Sequence, residues 1–422
     1  MWAFLPWKVR FFYAGTILPS YICTCTPACG GSKWTENMSG DEKEKVCCCA
    51  MNAIFGYEPG ISHAVVAALG SASALFSLDA DGLDTVFGPY SGYRRKISPG
   101  ALDDAADELA RLSADGYGFI GCTDRNYPHL LNECPDAPAG LYFRSALPPE
   151  QVFAGKDMIS VVGTRDMTPY GREWTEKIVS AIASAESRPA VVSGLAYGID
   201  VTAHCRALDS GLLTLAVMAT GIDIVYPRRH REVADRISSL GALVTDFPPG
   251  TSPVKANFLR RNRIIAGLSR STVLVESRTR GGGMMTASLA FSYGRDVYAL
   301  PGRADDDMSL GCNWLVRTGK AEPIFSPEDF VARAGLGRMK KAAVQPDVSL
   351  VGGRCSSASG DTALRAMSSI LSVVRRNRGI TLDDLASASG LSWSETREYV
   401  ARLECDGLLS VDILQRCSIG NG

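Results

Sequence analysis

The chain has 422 residues, 46% of them hydrophobic and 21% charged, which reads as globular and soluble and is too long for one ordinary core. The formal net charge of -1 excludes a protein that coats nucleic acid through its overall field, so any DNA binding must rest on local patches.

Residues 1–50 hold six of the 13 cysteines: Cys23, Cys25, Cys29, Cys47, Cys48 and Cys49. Their spacing is not that of a paired zinc site, no histidine precedes His63, and the single cysteines elsewhere suit a reducing cytosol. The stretch Trp2 to Cys23 has Lys8 and Arg10 before a short apolar run, the outline of a poor signal peptide, but Pro19 interrupts it. Met38 and Met51 offer alternative starts, so residues 1–50 are set aside as an uncertain extension and no metal is expected there.

Residues 51–120 predict a small helical domain, with Ala101, Leu102, Ala105, Leu109 and Leu112 recurring at helical spacing to give one buried face. Tyr117 to Cys122 predicts a short strand. The Pro-rich stretch 126–143 then predicts a connection packing against the next domain.

Over 121–334 apolar strands alternate with amphipathic helices. The strands are predicted at 158–163, 190–194, 212–218, 242–247, 271–277 and 296–302. Continuously apolar strands are buried on both faces, which predicts an α/β domain with a doubly wound, mostly parallel, Rossmann-like sheet. Such sheets bind ligands beyond the carboxyl ends of their strands. The loops there are glycine-rich, yet neither G-x-G-x-x-G after the first strand nor a P-loop is present, so no dinucleotide or other cofactor is expected.

Lys255 to Gly283 is the most informative stretch. Lys255, Arg260, Arg261 and Arg263 surround Phe258 with no acidic residue between them, a combination that neutralises phosphates and stacks a base. Residues 335–362 read as a linker, and 363–422 predict three helices and a strand with winged-helix spacing. Seven basic and seven acidic residues in 363–422 give no basic face, so that module reads as an interaction or packing unit.

Candidate catalytic groups are few. The four histidines lie far apart and in no triad-like context. Asp200, Asp223, Asp246 and Glu276 lie near strand ends, where carboxylates act as acids and bases or fix loops and cap helices.

The ordered motifs GTRDMTPYG, SGLAYGIDVTAH, ATGIDIVYP, KANFLRRNRIIAGLS, VLVESRTRGGGMMTA and YALPG resemble the DprA/Smf (DNA processing protein A) family over roughly 120–330. The helical segment and the tail resemble that family's sterile-alpha-motif-like and winged-helix domains more loosely. The resemblance implies a cytosolic, non-enzymatic, dimeric protein that protects incoming single-stranded DNA in natural transformation and helps load RecA recombinase. It also implies DNA contacts at Arg165, Lys255 and Phe258, with Arg261, Arg263, Gly281, Gly282 and Gly283 in matching motifs. YPRRH and RGGGMMTA depart from the family's usual forms. The rival reading is a nucleotide-processing hydrolase on a lysine-decarboxylase-like Rossmann fold, with Glu276 and the triple glycine as catalytic parts. A transcription regulator, resting on the C-terminal module alone, is the third.

Overall fold

The computed structural model describes residues 38–339, 361–377, 379–412 and 415–419. The chain divides into two compact units at Lys340/Lys341.

The first unit opens with a helix in the segment that the sequence sets aside. Gly40–Phe55 starts at a capping box, in which the Ser39 side chain accepts from the Glu42 N–H and the Glu42 side chain accepts from the Ser39 N–H. Val46 to Asn52 and Phe55 are buried, so the helix packs into the core through residues 46–50 and setting aside all of 1–50 is corrected. Cys47, Cys48 and Cys49 fill space among Phe55, Leu75 and Tyr142, and burial pushes the Cys47 thiol up to about 12. Four further helices, Pro59–Leu69, Ala72–Phe76, Ala80–Phe87 and Pro99–Ala114, complete this helical part. It is bonded directly to the sheet region of the same unit: Asn52 Nδ2 donates to the Asp246 carbonyl at 2.8 Å, and Tyr142 Oη donates to Glu108 at 2.6 Å.

Nine strands form one sheet: β1 (Gly118–Gly121), β2 (Gly140–Arg144), β3 (Met158–Val162), β4 (Ala190–Ser193), β5 (Thr214–Val217), β6 (Ala242–Thr245), β7 (Ser271–Leu274), β8 (Asp296–Ala299) and β9 (Glu322–Pro323). Their order is β1-β2-β6-β5-β4-β3-β7-β8-β9, parallel from β6 to β9 and antiparallel at β1 and β2. β3 to β7 are buried at every residue, as expected of strands covered by helices on both faces.

The Pro-rich stretch is more than a connection, because its end is β2, lying between β1 and β6. Glycines and aromatics interlock in this pair: a side chain at Gly140 would strike the Phe119 ring at 2.1 Å, and one at Gly118 would strike Phe143 at 2.2 Å. The first unit also runs past residue 334, since Leu336 is buried and its carbonyl accepts from the Ser187 N–H. The rest of the expected linker, 340–360, lies outside the described residues.

The second unit has helices Asp361–Arg376, Leu382–Ser389 and Trp393–Cys405 around Met367, Ile370, Leu385, Val400 and Leu403. Three short strands, in the order 380–381, 416–419, 409–411, form an antiparallel sheet where one strand was expected. This is winged-helix architecture.

Candidate nucleic-acid interface

The chain runs from β3 through β4 and β5 to β6 on one side of the sheet, then returns to place β7 on the other side of β3. The loops leaving β3 and β7 therefore diverge and leave a crevice, the position at which doubly wound sheets take ligands. A cleft of about 550 Å³ lies there, bounded by Arg165, Lys255, Phe258, Asn262, Arg278 and Arg280 among others.

Two close approaches shape its floor. Gly163, just beyond β3, leaves no room for a side chain, because one would lie 2.5 Å from Ile199 and 2.9 Å from the Glu276 carbonyl. Gly283 presses on it in turn: a side chain there would come within 3.1 Å of the Gly163 Cα. Gly283 is thus a buried wall joining the two loops, whereas Gly281 and Gly282 are exposed on the rim. Gly282 begins the helix Gly282–Ser292, whose first turn has no side-chain cap. Uncapped N–H groups at the end of a helix dipole suit an anion.

The helix Lys255–Leu268 supplies one wall, and its cations divide into two kinds. Lys255 is exposed at its first turn and Phe258 is half-buried. The Arg165 guanidinium lies 5.2 Å from the Phe258 ring centroid, and Tyr226 packs on the same ring edge-on at 5.5 Å. The exposed cations Arg165, Lys255, Arg278 and Arg280 face the cleft against one exposed lining carboxylate, Asp166. A chain of net charge -1 thereby presents a locally basic crevice.

Arg261 and Arg263, expected among the DNA contacts, are both buried, and of the two Arg261 lines the cleft. Arg261 is 4% exposed, and its Nη1 donates to the carbonyls of Gly194 (2.6 Å) and Val217. Burial pushes it down to about 10 while Asp200 opposes the shift, so it stays cationic at neutral pH. Asp200 accepts from the Gly194 N–H at 3.2 Å, and burial raises its pKa against the pull of Arg261. The pair holds both backbone groups of Gly194, where a side chain would strike Arg261 at 2.2 Å. Arg263 is 6% exposed, paired with Asp246 and donating to the Asp136 carbonyl. Arg263 is thereby committed to Asp246, whereas Arg261 keeps its charge and lines the cleft from its buried position.

The carboxylates weighed as catalytic groups are also engaged in holding structure. Glu276 is fully buried and accepts from both the backbone N–H (2.9 Å) and the hydroxyl of Thr168, the cap of the helix Pro169–Ser184. Asp223 accepts from the Gly250 N–H at 2.9 Å. His204 is buried, and Thr214, which donates its own hydroxyl proton to the Val191 carbonyl, accepts from His204 Nδ1 at 2.8 Å. Burial, with Arg261 and His230 nearby, pushes His204 down to about 3, so it is neutral and structural.

Sequence reasoning missed Tyr226, Asn262, Arg278 and Arg280. Asn262 Nδ2 reaches the Gly282 carbonyl at 3.4 Å and ties the basic helix to the glycine loop. The available signals were the tyrosine ending ATGIDIVY and the two arginines directly before the glycines.

The model of the DNA recombination-mediator protein A family matches residues 118–335, and that of a winged helix-turn-helix DNA-binding family matches 368–410. A putative DNA processing protein DprA of Mycobacterium tuberculosis is 34% identical over 332 residues, covering 76% of this chain and 80% of that protein. Protein Smf of Synechocystis is 38% identical over 217 residues, 51% of this chain, and the match spans only 54% of that relative's length. The X-ray structure of DNA processing protein A from Streptococcus pneumoniae superposes with a TM-score of 0.50 at 30% identity, covering 61% of this chain and 92% of that one.

Proposed function

This chain belongs to the DNA recombination-mediator protein A family of DNA-processing proteins, and on that premise we propose that it binds single-stranded DNA in the cleft between the β3 and β7 loops. One observation carries the reading: a half-buried aromatic, Phe258, is held between Arg165 and Tyr226 with Lys255 on the rim. Bases stack on such a ring regardless of sequence, and the flanking cations neutralise phosphates. A duplex keeps its bases stacked inside and cannot use the ring.

In this reading the protein acts without catalysis in the cytosol, protects incoming DNA during transformation, and works as a homodimer through its Rossmann-like unit to pass the strand to RecA recombinase. The hydrolase reading takes Glu276 as its reacting carboxylate. That side chain is fully buried and engaged by Thr168. The test is fluorescence anisotropy with a mixed-sequence single strand and its duplex at two salt concentrations. Preference for the single strand, weakening with salt, is expected; equal or tighter duplex binding overturns the proposal.

A further inference from the structure

We infer that the turn after β5 forms a second subsite for the same strand, continuing the cleft across the sheet edge through Tyr197, Tyr226, Arg228 and Arg229. The inference rests on the single-strand reading above and adds a direction to the DNA path and a set of residues outside the cleft's basic helix.

His230 is the organising residue. It is 8% exposed and ends the one-turn helix Arg228–His230. Its Nδ1 donates to the Leu195 carbonyl at 2.8 Å, and its ring meets Tyr197 edge-on at 4.9 Å. The loops leaving β4 and β5 are thereby locked to each other. Leu195 holds a left-handed conformation, with φ of 56°, where its carbonyl meets His230. The locked pair presents two rings to solvent, Tyr197 at 43% and Tyr226 at 45% exposure.

Continuity with the cleft is direct. Tyr226 packs on Phe258, and Ala196, next to Tyr197, lines the cleft itself. Arg228 and Arg229 are exposed two and three positions after Tyr226 and directly before His230, and among the described residues neither belongs to an ion pair. Two exposed arginines on the turn that carries Tyr226 and, through His230, meets Tyr197 repeat the chemistry of the cleft: cations for phosphates, π-faces for bases. Because the hydrogen bond of His230 fixes the loops beforehand, a strand leaving Phe258 meets a surface that needs little ordering. The ligand class is a flexible polyanion with stackable bases, not a free mononucleotide.

The test uses the full chain and labelled oligodeoxythymidylates of increasing length, with thermal melting to verify that the exposed-site variants remain folded. Wild-type affinity should rise by about 5-fold or more once the strand is long enough to leave the cleft, as one added stacking contact allows. The variant R228A/R229A should bind the shortest strand like wild type, lose the salt-dependent part of that rise, and show a salt slope smaller by about 1.4 on long strands, from two phosphates at about 0.7 each. R228K/R229K should restore the slope. Identical behaviour of R228A/R229A and wild type at every length overturns the subsite alone. Failure of Lys255→Ala to weaken the shortest strand overturns the cleft reading, and the continuation with it.

Discussion

The Arg165 guanidinium lies 5.2 Å from the centre of the Phe258 ring, although 93 positions separate the two residues in the chain. The loop after β3 supplies one and the helix before β7 the other, so the contact exists only because β3 and β7 are neighbours. Phe258→Ala should weaken single-strand binding by about 1–3 kcal/mol, the usual value of one base–aromatic stack. Arg165→Ala should lower the salt slope by about 0.7. Because the two side chains touch, their combined loss should differ from the sum of the single losses in a double-mutant cycle read by anisotropy.

The cations of the Lys255–Leu268 helix should separate into two classes by stability. Arg263→Ala leaves Asp246 buried without its partner and should cost about 3–5 kcal/mol in urea unfolding. Lys255→Ala removes an exposed charge and should change stability by less than about 0.5 kcal/mol while weakening DNA binding. Equal stability losses for the two would contradict the inward placement of Arg263.

Glu276→Gln keeps the shape of the side chain but weakens its hold on Thr168. Stability should fall by about 1.5–3 kcal/mol, the range for hydrogen bonds to a charged group, with single-strand affinity unchanged under conditions where the protein is folded. A catalytic glutamate would show the opposite pattern, with activity on nucleotides lost and stability kept.

His204 gives the fold an acid-sensitive point. Its folded value of about 3 lies below the ordinary 6.5, so its contribution to stability is present above about pH 6.5. It is lost as pH falls through the folded value, because protonation favours the unfolded chain. The loss should be on the order of several kcal/mol between those limits. His204→Asn should flatten this part of the stability–pH curve measured by denaturant titration, whatever its effect at neutral pH.

The parallel core is legible in the sequence because β3 to β8 are short apolar runs bounded by glycine, and the six expected strands fall within a few residues of where they lie. β2 is not, since Gly140–Arg144 follows a Pro-rich stretch and its pairing with β6 is made across 99 positions, from Arg144 to Leu243. The Gly40–Phe55 helix is hidden because the alternative starts at Met38 and Met51 make its segment read as an extension, although the Ser39/Glu42 capping box is readable. In the site, composition locates the basic helix but cannot say which way each arginine faces. Lys255 and Phe258 lie three residues apart on one helical face, while Arg261 and Arg263 turn toward carbonyls and a carboxylate contributed by segments distant in the chain. Those partners are set by tertiary structure alone.

Photocrosslinking of a bromouracil-substituted single strand, followed by peptide mapping, tests the central claim most directly. Adducts should map to Phe258 or Tyr226, the rings held at the cleft, and should disappear with excess unlabelled single strand. Adducts confined to residues 361–419, with none in the cleft, would contradict the account.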